Sequence, residues 1–202
     1  MKLVKNLEAA LKDSLNTRFL KLKIKSNIPQ ELEALSNLEE LYLEGDFTLC
    51  EFDFSLLPNL KLMSINSNNL EFFPHQALRS LSLTNLKIIS GTFSRIELPL
   101  EILSPLTSLT LKNTKLSSLP LEFGQLNRLQ ELNLSHNDLK DLPPSFGDLT
   151  NLSRLNIDNN QFERLSDVIN KCSSLKHLSC DGNPFPEEEK YRIQRVFNIY
   201  PI

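Results

Sequence analysis

A thiol nucleophile, or a base titrating near neutrality, can come from only six side chains in this 202-residue sequence: three cysteines and three histidines. Their spacing assembles no site. His75, His136 and His177 form no H-x-x-x-H or comparable metal pattern. Cys172 and Cys180 fall where neighbouring stretches carry leucine or isoleucine, so both are read as reduced, buried apolar substitutes. Cys50 has no evident partner, and an odd count argues against a disulfide framework. Only five glycines occur, and none builds a phosphate-cradling loop. Asp158 and Asp181 recur at one place in a repeated pattern, so they face each other. Like charges there are unfavourable, and a cation or a partner's basic group would relieve them. Hard cations want six or more oxygens, however, so no metal site is expected. This inventory predicts no enzyme and no cofactor.

What positions these residues is a repeat. Leu129, Leu132, Leu134, Asn137 and Leu139 stand in the order L-x-x-L-x-L-x-x-N-x-L. The order returns after 23 residues as Leu152, Leu155, Ile157, Asn160 and Phe162, and again as Leu175, Leu178, Cys180, Asn183 and Phe185. Self-similarity at one fixed period is the mark of a leucine-rich repeat array. Laid back toward the N-terminus, the first-leucine positions become Phe19, Leu38, Leu60, Leu78, Leu106, Leu129, Leu152 and Leu175, with progressively looser matches. The unit that opens at Leu78 is the longest, and distortion is expected over residues 84 to 100.

Each unit should place a short strand at its L-x-L core, leucines inward and intervening residues outward. The asparagine that follows carries both donors and an acceptor, so it can satisfy backbone groups where the chain turns. Asn27, Asn68, Asn137, Asn160 and Asn183 are the expected ladder. Asp46 is a partial substitute, Thr114 a weaker one, and Leu86 none. Leu119-Pro120 and Leu142-Pro143, each followed by Phe-Gly, predict extended or 3₁₀ return segments with phenylalanines in the core.

The expected fold is therefore an α/β solenoid. It has a curved parallel sheet on the concave side, an irregular or 3₁₀ convex side and helical caps. Residues 1 to 18 read as an N-terminal helical cap or a partial repeat, with Val4, Leu7, Leu11 and Leu15 on one helix face. Residues 19 to 185 hold about eight repeats. Residues 186 to 202 read as a C-terminal helical cap, opened by Pro186 and Glu187 to Glu189. Tyr191, Ile193, Val196 and Phe197 are expected to cover the last repeat.

The units from Leu106 to Asn183, with their LP…FG returns, resemble bacterial leucine-rich repeat proteins with 23-residue units. The closing NPFPEEEKYRIQRVFNIYPI resembles the cap of spirochaete members. That resemblance implies a protein-binding scaffold: a host-interaction protein in pathogens, an intracellular adaptor elsewhere.

Solenoids bind through their extended concave face. The expected outward columns are mostly small and polar. Lys23, Tyr42, Asn133 and Asn156 stand in the central column. Leu62, Arg154 and His177 stand in the one before it, and Asp158 and Asp181 in the one after. Tyr42 and Arg154 stand out as favoured interface anchors. Residues 1 to 30 carry seven Lys or Arg against two acids, and residues 31 to 60 carry eight acids and no Lys or Arg. Cross-strand pairs of Lys21 with Glu40, Lys25 with Glu44 and Glu131 with Arg154 are the expected consequence. The net charge of −3 asks for neither nucleic acid nor an anionic membrane, and no uncharged run is long enough to span one. The expected partner is a protein, and the chain a monomer. The alternative is a self-associating module that pairs through an end strand. If Met1 is the native start, a cytoplasmic location is expected. If an export signal has been removed, the protein is secreted or on the surface.

Overall fold

The computed structural model describes residues 3–25, 27–46, 54–68, 70–74, 83–96, 103–198 and 201. Cys50, His75, Leu78, and Ser80 and Ser82, which a unit opening at Leu78 would turn outward, lie outside them. Eight strands form one parallel sheet in sequence order. They are β1 (Phe19–Ile24), β2 (Glu40–Gly45), β3 (Leu62–Asn66), β4 (Asn85–Ile89), β5 (Ser108–Lys112), β6 (Glu131–Asn133), β7 (Arg154–Asn156) and β8 (His177–Ser179). Each unit advances the chain by one strand and returns it along the convex side, so neighbours can only be parallel.

Alternation does the rest. Leu41, Met63, Leu86, Leu109, Leu132 and Leu155 stand in register and point inward, each 2% exposed or less. A second inward row runs through Leu43, Ile65, Ile88 and Leu111. Each such side chain contributes about 2 kcal/mol through burial. The convex side closes the core with short 3₁₀ turns at Gln30–Ala34, Phe54–Leu56, Phe123–Gln125, Pro144–Asp148 and Asp167–Lys171. Phe123 and Phe146 are fully buried there and stack with centroids 6.1 Å apart and planes 3° from parallel.

The early units differ from the expected register. β4 begins at Asn85, with Leu83 and not Leu78 in the first-leucine place. Leu60, Leu83 and Leu106 then fall at equal intervals, the same as those of the later units. The predicted distortion is absent from the described part of residues 84 to 100, where Asn85–Ile89 pairs regularly with both neighbours. Leu86 is an inward strand residue, 1% exposed. In the first unit, Leu20 and Leu22 pair with Leu41 and Leu43, which puts buried Thr17 where Phe19 was expected.

The asparagine ladder is real in the last three units only. Asn137, Asn160 and Asn183 are buried, each donating its amide to backbone carbonyls of its own turn and the previous one. Their oxygens accept from the backbone N–H of Leu116, Leu139 and Phe162 respectively. Asn27 and Asn68 are exposed. The two-residue shift of unit one carries Asn27 past the turn, and Ser67 takes the buried place beside Asn68. A second periodic feature accompanies the ladder. Ser90, Asn113, His136, Asn159 and Gly182, each one repeat from the next, all have positive φ, between 53° and 67°.

The two ends are helical. Helix α1 (Leu7–Lys12) is shorter than the expected amphipathic segment. Asn6 caps it by accepting from Ala9 N–H, so Val4 stays extended and bridges Leu20. Leu7 and Leu11 pack on the core, while Leu15, beyond the helix, is 74% exposed. Helix α2 (Glu187–Phe197) presents Glu189, Ile193 and Phe197, four residues apart, to the last repeat. Tyr191 and Val196 fall on other faces and are 67% and 51% exposed, so they do not cover it. Among the described residues, no helix is long and apolar enough to cross a membrane.

Candidate functional site

The outward face of the sheet is built by the residues between the inward leucines, and register fixes its rows. The central row runs Lys21, Tyr42, Ser64, Lys87, Thr110, Asn133, Asn156 and Ser179. One flanking row runs Phe19, Glu40, Leu62, Asn85, Ser108, Glu131, Arg154 and His177. On the other side Lys23, Glu44, Asn66, Ile89 and Lys112 continue in register. Lys23 is thus a flanking residue rather than a central one, for the same two-residue reason as above. Ser135, which continued alternation past Leu134 would turn outward, lies beyond β6 and is 3% exposed.

Sequence reasoning missed Phe19, Asn85, Lys87 and Ile89 as members of this face. The equal spacing of Leu60, Leu83 and Leu106 is the signal that would have placed the last three.

Tyr42 is half-buried and donates its hydroxyl to Glu40 Oε2 at 2.7 Å. Burial and then that carboxylate push its pKa up to about 12. Leu62 pairs with Glu40 on the neighbouring strand. Charges near β1 also pair differently from expectation. Lys23 and not Lys25 stands opposite Glu44, and Phe19 and not Lys21 opposite Glu40. The ion pair is the diagonal Lys21–Glu44, at 2.6 Å. Glu131 and Arg154 do stand opposite each other, with a loose 3.6 Å contact between exposed side chains.

Asn133 and Asn156 serve the backbone as well as the surface. Each accepts, through Oδ1, the N–H two residues on, from Ser135 at 2.9 Å and Asp158 at 3.0 Å. Asp158 is supplied with three donors. Its carboxylate accepts from the Ser179 hydroxyl, from Asp181 N–H at 2.8 Å and from the Asn156 amide at 3.0 Å. Those donors stabilise the Asp158 carboxylate from within the protein, the role that a cation or a partner's basic group could have filled. Among the described residues, no three His, Cys, Asp or Glu side chains group to hold a metal.

Over β5 to β8 the small residues Thr110, Asn133, Asn156 and Ser179 floor a shallow hollow of about 320 Å³. Glu131, Arg154 and His177 wall one side of it. Cys172 and Cys180 lie beneath the surface, 4% and 1% exposed and free of disulfides. Burial raises the Cys172 thiol to about 11. Burial, then the charges of Asp181, Asp158 and Glu189, raise Cys180 to about 12.

Comparison with known proteins agrees with this geometry. The family described as leucine-rich repeat region matches residues 75–190. A leucine-rich repeat protein of Leptospira interrogans superposes with a TM-score of 0.82 at 30% sequence identity. The match covers 91% of this chain and 47% of that one, so the chain spans about half the relative's length. No curated protein matches. The recurring unit, the single parallel sheet and these matches together show that the chain belongs to the leucine-rich repeat family, among its bacterial members.

Proposed function

We propose that the chain is a non-enzymatic scaffold that binds a protein partner on the outward face of its sheet. The observation that carries this reading is the register itself. Eight strands hold their outward side chains in continuous rows, and the hollow over β5 to β8 offers small polar groups beside exposed Arg154 and His177. A surface ordered before binding loses less side-chain and loop entropy on association. Tyr42 and Arg154 are the proposed anchors. The first is held half-buried by its bond to Glu40, and the second is free to leave a weak exposed ion pair. The family's usual role in protein interaction supports the same reading. A monomer in contact with a host protein is the form in which this scaffold would act in a pathogen.

The test is a pull-down with wild-type chain beside a Tyr42→Ala, Arg154→Glu double variant, from source-cell and host-cell extracts in parallel. Circular dichroism confirms that the variant folds. A partner captured by the wild type and lost by the folded variant supports the outward face. A partner held equally by both overturns it, and the extract of origin reports the compartment.

A further inference from the structure

A different surface lies at the β1 edge of the sheet. On that edge Val4 makes one parallel bridge. Its N–H donates to the Phe19 carbonyl at 3.0 Å, and the Lys21 N–H donates to the Val4 carbonyl at 2.8 Å. The chain then turns away at Asn6 into α1. Backbone groups of alternate strand residues point to the same side. The Lys21 carbonyl and both backbone groups of Lys23 therefore point outward past Val4, and no described residue bonds to them. A hollow of about 850 Å³ covers this stretch, lined in part by Lys5, Leu7, Lys21, Lys23, Ile24 and Lys25.

Two further observations say what fits there. The last two inward residues of β1 are less completely covered than Leu20: Leu22 and Ile24 keep 7% exposure each, against 2% or less for the buried inward residues of β2 to β7. The hollow is also rich in free positive charge. Lys21 is held by Glu44, but Lys5, Lys23 and Lys25 are exposed and form no ion pair among the described residues. Glu8 is the remaining acid on the rim.

We propose that this edge accepts an extended acidic peptide of another protein as a ninth strand. Its backbone would bond to Lys21 and Lys23. Its acidic residues, on the outward side, would meet Lys23 and Lys25. The apolar residues alternating with them would close over Leu22, Ile24 and Leu7. A second copy of this chain does not fit. Antiparallel pairing of two β1 edges about Lys23 sets Lys23 against Lys23 and Lys21 against Lys25, and like charges directly opposite destabilise a pair. Lysines on a free edge exclude a like strand and favour an oppositely charged one.

The probe is a fluorescein-labelled peptide of alternating glutamate and valine, with binding read by fluorescence anisotropy on the whole chain. Expected is a loss of at least about tenfold in affinity for a Lys23→Glu, Lys25→Glu variant, and again for a peptide N-methylated at alternate residues. The Tyr42→Ala, Arg154→Glu variant should bind the peptide as the wild type does, which separates this edge from the outward face. Lys5→Glu, outside the sheet, repeats the charge test should the strand variant fail to fold. Absence of wild-type binding overturns the proposal. So does equal binding of the N-methylated peptide, which would show adsorption by charge alone. A dimer in sedimentation that disappears in the Lys23→Glu, Lys25→Glu variant would assign the edge to a second copy instead.

Discussion

Thr114 and Asn137 stand one unit apart and share one oxygen. The Thr114 N–H and hydroxyl both donate to Asn137 Oδ1, at 3.0 and 2.9 Å, and the Leu116 N–H joins them at 3.1 Å. The Asn137 amide meanwhile donates to the Leu111 and Leu134 carbonyls at 2.7 and 2.8 Å. One side chain therefore satisfies buried backbone in two consecutive units. Asn137→Ala leaves several of these groups unpaired and should cost about 3 kcal/mol. Ser135→Ala, two residues away and also buried, should cost under about 1 kcal/mol, because Ser135 contributes mainly through its backbone. Urea midpoints of the two variants give the comparison, and equal midpoints would remove the ladder's energetic role.

The left-handed positions make a second prediction. Ser90 and Gly182 occupy equivalent places, with φ of 63° and 67°. A side chain in that region costs about 1 kcal/mol, and glycine avoids the cost. Ser90→Gly should therefore raise stability by up to about 1 kcal/mol. The gain is set against glycine's greater freedom in the unfolded chain. Gly124 is constrained for another reason. Its N–H donates to Ser145 Oγ, and a Cβ added there would run into the Ser145 backbone carbonyl of the next turn. Gly124→Ala should lower the melting temperature clearly, by about 2 kcal/mol or more of stability. An unchanged melting temperature would mean that the convex turns are loosely packed.

How far the fold could be read depended on where local pattern and period agreed. From Leu106 onward both agree, and strands, ladder and buried cysteines all follow from the sequence. At Leu78 they conflict. Leu78, Leu81 and Leu83 imitate the L-x-x-L-x-L order, but a short interval before Leu78 and a long one after it betray a false register. The period outweighs the local match because each strand must pair with both neighbours. Unit one failed similarly, since polar Thr17 fills a leucine place and Phe19 beside it is the more tempting residue. The outward residues of β2, β3 and β5 to β8 were legible because alternation is a local property. Cross-strand partners around Lys21 were not, since they require the register. The hydrogen bonds to Asp158 were hidden for a different reason. Besides the nearby Asn156 amide, its donors are an adjacent-strand hydroxyl and a backbone N–H from the next unit, which no residue pattern announces.

Reactivity tests the reading of the cysteines. With thiols raised to about 11 and 12, neither Cys172 nor Cys180 forms appreciable thiolate at pH 8, and burial also excludes reagent. In a Cys50→Ser background, a thiol-specific chromogenic reagent should find no fast-reacting group in the native protein. Two should appear after unfolding in guanidinium chloride. A native fast phase would show that the core opens at the C-terminal units.

The C-terminal cap carries a pH dependence. Glu189, nearly buried, accepts from Leu165 N–H at 2.8 Å and pairs with Arg192, which also bonds Asp167 at 2.9 Å. The Arg192 hydrogen bonds hold the Glu189 carboxyl below its ordinary value of 4.5, against the opposing effect of burial. A carboxyl lowered in the folded state stabilises the fold above the unfolded value. That contribution is lost as pH falls through the lower folded value. Glu189→Gln should therefore destabilise the chain at pH 7, and the gap to the wild type should narrow as pH drops below about 4. The variant keeps an oxygen for Leu165 N–H, so the difference isolates the charge. Urea midpoints at pH 7 and at pH 3 decide it. A gap that stays constant between the two would mean that the Glu189–Arg192 pair holds the helix by geometry alone and that its ionisation contributes nothing to stability.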